Sequence, residues 1–130
     1  MLATRRLRTA NDRGALTLSY VAVLPFVFLF IMVLIQASFW FLARDAALTA
    51  ARQGADAARA LNAPLAAGSA AAMAFARQAG RGYLEDPVPS VQTSGSTISV
   101  TVTGRVPSFV PGLVVHVSET VQAPVEKFES

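Results

Sequence analysis

The sequence predicts an α+β membrane protein: a long N-terminal transmembrane helix that continues as a stalk, a second helix, and then a small antiparallel β-sheet. Three observations carry this. Residues 15–43 contain no Asp, Glu, Lys, Arg or His. Residues 44–61 keep a helical spacing while turning charged along one side. Residues 97–103, Thr-Ile-Ser-Val-Thr-Val-Thr, switch to strict two-residue alternation. The implied organisation is a basic cytoplasmic leader over 1–14 and an N-terminal helix over 15–61, transmembrane from about 17 to 43 and an extracytoplasmic stalk over 44–61. A second helix falls within 62–84, and a small β domain fills 88–130.

The leader carries Arg5, Arg6, Arg8 and Arg13 against Asp12 and shows no apolar period, so it reads as a short disordered segment. After the span, seven Lys or Arg oppose seven Asp or Glu, so the whole formal charge of +3 belongs to the leader. Basic residues stay on the cytoplasmic side of an apolar helix, which places the C-terminal domain outside. The isoelectric point of about 10.2 is therefore a mark of topology and does not point to nucleic acid.

As a helix the uncharged run would reach roughly 43 Å, against a bilayer core of about 30 Å. Tyr20 and the Phe39, Trp40, Phe41 group are spaced to mark two headgroup levels, which makes Val21 to Ser38 the buried stretch. Pro25 removes a backbone donor and is expected to bend or loosen the helix. Gln36 and Ser38 fall near the outer boundary, where water or headgroups can satisfy them. A cleaved secretory signal has a much shorter apolar region, and the Thr4-Arg5-Arg6-Leu7-Arg8 echo of a twin-arginine signal is weak.

The segment Arg13-Gly14-Ala15-Leu16-Thr17-Leu18-Ser19-Tyr20-Val21-Ala22-Val23-Leu24-Pro25 resembles the start of TadE-like proteins, the pseudopilins of the Tad (Flp-type) pilus system. The family pattern is Arg-Gly, a small residue, an apolar stretch containing Glu, then Ala-Leu-Val-Leu-Pro and a long apolar helix. The resemblance implies a pilin-like arrangement and a prepilin-peptidase cut between Gly14 and Ala15. It also implies membrane platform proteins and other pilins or pseudopilins as partners, in a homo- or hetero-oligomer. Where the family places Glu, five residues after the cut, this chain has Ser19. In pilins that carboxylate is thought to pair with the amino terminus of a neighbour, and serine cannot neutralise an ammonium. The departure points to a minor, initiating or accessory subunit.

From Arg44 the helix continues into water. Arg44, Arg52 and Arg59 recur along one side, with Asp56 four residues after Arg52. Small residues repeat on other faces, as Ala47, Ala51, Ala55 and Ala58 and as Ala46, Ala50 and Gly54, a surface that lets another helix come close. Ala50-Ala51-Arg52-Gln53-Gly54-Ala55-Asp56 is similar to a TadE-like Ala-Ala-Arg-x-Gly-Ala-Arg run, with Asp56 in place of the last Arg.

Asn62 can close this helix and Pro64 can open the next. The second helix runs from about Leu65 to Ala79 with Leu65, Ala72, Met73 and Ala76 on its apolar face and Phe75 at one edge. Gly80-Arg81-Gly82 ends it, and Glu85-Asp86-Pro87-Val88-Pro89 reads as a turn-rich connection. Ile98, Val100 and Val102 form one face of the clearest strand. Val91 to Thr93 is a short partner across Ser94-Gly95-Ser96, and Leu113 to Ala123 is a second long strand with Val115, Val117 and Val121 facing the core. The tail Ala123-Pro124-Val125-Glu126-Lys127-Phe128 is also similar to TadE-like chains of actinobacterial type, over a short span.

No catalytic constellation is legible, and no cofactor or metal is expected. The single His116 sits in a strand pattern without a second ligand at metal-site spacing, and there is no cysteine. Glu85 and Asp86 are adjacent in a turn pattern. There is no Gly-x-x-x-x-Gly-Lys phosphate loop. Two readings remain: an assembly subunit of a Tad-type pilus or secretion system, and an uncleaved single-pass anchor with an outer binding domain.

Overall fold

A computed structural model of the chain describes residues 2–60 and 63–125, with side chains placed from Gly14 onward. The order is α1 (Leu2–Arg59), α2 (Leu65–Ala79), β1 (Glu85–Ser94), β2 (Thr97–Val106) and β3 (Val115–Pro124). The chain divides into two units, Met1–Ile35 and Gln36–Ser130.

The first unit is helix. The leader, expected to be disordered, is helical from Leu2, so α1 runs through the expected boundary at Ala15. Leu2–Arg13 contains neither Pro nor Gly, and its Leu, Ala and Arg residues favour helix. The backbone stays helical on both sides of Pro25. From Leu16 to Ile35 the large apolar side chains are bare: Phe26, Phe28 and Phe30 are all exposed. Within the described residues this is the one helix long and apolar enough to cross a membrane, and its most apolar window has nothing buried.

The second unit is an α+β core of small residues on the helices and β-branched residues on the sheet. Ala43, Ala47, Ala50, Ala51, Ala55 and Ala58 of α1 are buried together with Ala72 and Ala76 of α2 and Ile98, Val100 and Val102 of β2. The two helices come very close. A methyl carbon built on Gly54 would sit 2.9 Å from both Ala72 Cβ and the Gly68 carbonyl oxygen, and 3.0 Å from Val100 Cγ1. One built on Gly68 would sit 2.6 Å from Ala58 Cβ. Neither position admits a side chain without the helices separating.

Helix α2 keeps its expected span, but its buried face is narrower than expected. Gly68, Ala72 and Ala76 are buried, Met73 and Phe75 half-buried, and Leu65 exposed. Contact this close to α1 selects small side chains and leaves Leu65 outside. Pro64 is the N-cap in an extended conformation, and Gly80 closes the helix by donating its N–H to the Ala76 carbonyl. Asn62, expected as the cap of α1, lies outside the described residues.

The sheet is antiparallel with order β1-β2-β3. Glu85 to Pro89, expected as a connection, belongs to β1, whose register breaks between Glu85 and Val88. An edge strand tolerates Pro87 and Pro89 because only one side of it must donate to a neighbour. Asp86 takes a positive φ of 47° at the break. The hairpin to β2 turns on Gly95 (φ 60°) and Ser96, which fits a two-residue loop with glycine first. Ile98, Val100, Val102 and Val106 of β2 are buried against the helices, while Thr97, Ser99, Thr101 and Thr103 face outward. In β3, Val117 and Ala123 are buried and Val115 and Val121 half-buried. Leu113, expected inside this strand, precedes it in the β2–β3 loop.

The Gly68 contact generates a test with a counterintuitive sign. Gly68→Ala improves helix propensity, yet it should lower the unfolding stability of the second unit by about 1–3 kcal/mol through overpacking. Ala74→Gly on the exposed side of α2 should cost only about 1 kcal/mol. Thermal unfolding followed by circular dichroism in detergent ranks the two.

Candidate functional site

Three groups of residues are candidates for function, and they occupy different environments. Gly14, Ala15 and Ser19 lie on α1 in the first unit, exposed. Apart from its own turn of helix, no described residue lies within 4 Å of a methyl carbon built on Gly14. A glycine inside a helix costs about 1 kcal/mol relative to alanine. No packing among the described residues offsets that cost.

The small-residue group is placed differently. Ala47, Ala51, Gly54, Ala55 and Ala58 are all buried in the second unit. The helix that approaches Gly54 and Ala58 is the chain's own α2. These five positions are therefore occupied within the monomer, and any other subunit must use different faces. Arg44, Arg52 and Asp56 on the same helix remain exposed. Asp56 pairs with Arg59 at 3.2 Å, three residues on, rather than with Arg52. Both partners are well solvated, so the pair contributes little.

A third group was not legible in sequence. It joins the stretch Gln36 to Arg44 of α1 to the β2–β3 connection and to β3. The Gln36 side-chain amide donates from Nε2 to the Pro107 carbonyl (3.1 Å), and its Oε1 accepts from the Phe109 backbone N–H (3.2 Å). Gln36, expected to rely on water or headgroups, is instead satisfied by loop backbone. Two turns further along, Arg44 Nε meets Glu119 Oε1 at 2.6 Å, with the Glu119 side chain 19% exposed. Between these tethers Phe39 packs edge-on to Tyr83 (5.3 Å) and to Phe109 (5.2 Å), and the Arg44 guanidinium lies 5.5 Å over the Trp40 ring. The one available signal was that Glu119 falls on the inward phase of β3, between Val117 and Val121, where a charge requires a partner.

No family model matches the chain, and neither does any characterised protein or solved structure.

The remaining polar residues singled out in the sequence, Glu85, Asp86 and His116, lie exposed on the sheet. His116 is exposed on the outer face of β3 opposite Arg105 in register. Asp86, expected to be solvated in a turn, pairs with Arg105. Among the described residues no group of three His, Asp or Glu is placed to hold a metal ion. An open hollow beside the end of α2 is lined by Ala74, Arg77, Gln78 and Arg81. Its four side chains come from the exposed last turns of α2 and the turn that follows.

Replacing Gln36 by Leu removes both hydrogen bonds while keeping the volume similar. The change should cost about 1 kcal/mol and should speed amide hydrogen exchange at Phe109. Exchange at Thr101, in the middle of β2, should stay as it is.

Proposed function

We propose that the chain is a single-pass membrane protein, cut after Gly14, that serves as a minor pseudopilin or assembly factor of a Tad-type pilus or secretion system. The observation that carries the reading is a helix with bare Phe, Leu and Ile side chains from Leu16 to Ile35, preceded by Arg13-Gly14-Ala15. Such a surface is stable only in lipid or against other apolar helices. The uncharged run and the arginines before it orient the N-terminus to the cytoplasm. The small α+β unit then stands outside, where it meets other subunits. The free Gly14 supports processing, because a peptidase at the membrane face requires an accessible backbone and glycine offers one without a side chain.

In this scheme the chain performs no chemistry of its own. The peptidase removes the leader, leaving 116 of the 130 residues, and membrane platform proteins with an ATPase supply the work of assembly. Ser19 sits where pilins carry the charge that pairs with a neighbour's amino terminus. A hydroxyl offers a hydrogen bond there but no countercharge, which is why the role is minor or initiating and not that of a bulk subunit.

A second reading, an uncleaved anchor with an outer binding unit, has one observation in its favour: α1 continues through Gly14 without a break. Mass spectrometry of the chain extracted from membranes of cells with an active prepilin peptidase separates the two. The processed reading expects a start at Ala15, and a Gly14→Leu variant that keeps its leader. A start at Met1 or Leu2 in the wild-type chain selects the anchor.

Ser19→Glu tests the assigned rank within an assembly. The added carboxylate should increase cross-linked oligomers in membranes, because pairing with an ammonium offsets the cost of burying either charge in lipid. An unchanged oligomer ladder would remove the reason for calling the subunit minor.

A further inference from the structure

The connection between β2 and β3 has an unusual surface for a loop. From Pro107 to Val114 it reads Pro-Ser-Phe-Val-Pro-Gly-Leu-Val, without a charged residue. Phe109, Val110, Leu113 and Val114 are all exposed, Val114 to 64%. Loops facing water ordinarily carry polar side chains and give their backbone groups to solvent. Here part of the backbone is served internally. Pro107 and Pro111 have no N–H to satisfy. The Phe109 N–H donates to Gln36 Oε1, and the Pro107 carbonyl accepts from Gln36 Nε2. The Val110 N–H donates to Ser108 Oγ at 3.2 Å. The Val110 carbonyl accepts from the Leu113 N–H at 3.2 Å and from the Ser108 hydroxyl at 3.1 Å. Gly112, at φ 80°, supplies the left-handed residue after Pro111 that a type II turn requires. Apolar side chains outward, with these backbone groups bonded within the chain, is a pattern that suits a low-dielectric surrounding.

The Gln36 clamp also fixes where along α1 this loop is held. Gln36 lies inside the uncharged run, and the next charge on the helix is Arg44, about 12 Å further on by helical rise. Phe41 and Leu42, in the same stretch of helix, are exposed as well. We infer that the Ser108–Val114 loop is a lipid-contacting wedge that inserts into the interfacial layer of the outer leaflet, a second membrane contact of the outer unit besides α1. The occupant of this surface is lipid and not a partner protein, because the loop is pinned to helix residues that carry no charge to meet water. Interfacial elements of this kind sink about 5–10 Å below the headgroup boundary. The wedge gives the outer unit a second hold on the bilayer, and Thr101, on the face of β2 opposite the buried Val100 and Val102, serves as the reference position.

This inference rests on the membrane reading of α1, and the test separates the two. The chain has no cysteine, so single cysteines can be placed at Val110, Val114, Thr101 and Leu29 and labelled with an environment-sensitive fluorophore in phosphatidylcholine nanodiscs. Lipids bearing a nitroxide near the headgroup should quench the probes at Val110 and Val114 more strongly than lipids bearing it deep in the acyl chain. Both emissions should be blue-shifted. The probe at Leu29 should be quenched most by the deep nitroxide and that at Thr101 by neither. A Gln36→Leu background should weaken quenching at Val110 and Val114 and leave Leu29 unchanged. Quenching at Leu29 with loop probes that behave like Thr101 overturns the wedge and spares the span. Blue-shifted loop probes that no lipid nitroxide reaches also overturn it, since protein then covers the loop. Loss of quenching at Leu29 removes the span and the wedge together.

Discussion

The second unit depends on a close approach between two helix backbones. Gly54 faces the Gly68 carbonyl and Ala72, and Gly68 faces Ala58, at distances that leave no space for a further carbon. A core built from alanine buries little area per residue, so its stability comes from packing density and dispersion contacts summed over many small groups. Among the described residues the largest fully buried side chains, Ile98, Val100 and Val102, come from the central strand. They fill the surface that the alanine helices leave flat. If the helices separated, those three would lose their facing atoms along with the alanines.

The distribution of apolar residues between the two units inverts what a water-soluble chain shows. The first unit exposes phenylalanine, leucine and isoleucine, while the second buries chiefly alanine and valine. Surface residues of a soluble protein include scattered large hydrophobics, but a continuous wall of them is a binding surface. The first unit is thus compatible with an apolar surrounding, whereas the second closes its own core. The same helix serves both because helical hydrogen bonding is independent of what surrounds it, which is the property that lets helices enter lipid.

Much of the second unit was legible in the sequence because its signals are local. The span of α2 follows from the proline before it and the glycines after it. The buried phase of β2 follows from strict alternation at Ile98, Val100 and Val102. Val91 to Thr93 was read as a strand, and only the first part of β1 was hidden, by Pro87 and Pro89, which argue against a central strand but not against an edge one. The loss of Leu65 from the core, and its replacement by Gly68, reflects how close α1 comes, which no pattern within α2 records. Gln36 and Glu119 were illegible for a different reason. Their partners stand 71 and 75 residues away, and such pairings exist only once the register of the sheet is set.

Those two long-range contacts differ in kind, and the difference follows the surroundings. At Gln36 the tether is a neutral amide bonded to backbone, whereas at Arg44 it is an ion pair with its cation half exposed. A neutral hydrogen bond keeps most of its strength where water is scarce, and an ion pair there carries a desolvation penalty that its Coulomb attraction often fails to offset. Placed in water, the ion pair loses that penalty and most of its strength together. Phe39 and Trp40 lie between the two, Trp40 with its ring face toward the Arg44 guanidinium. Amphipathic aromatic side chains are enriched at the boundary between the two media. The order amide, aromatic ring, ion pair along two turns of α1 is therefore the order expected of a helix leaving lipid for water, and under the membrane reading proposed above that boundary falls between Gln36 and Arg44.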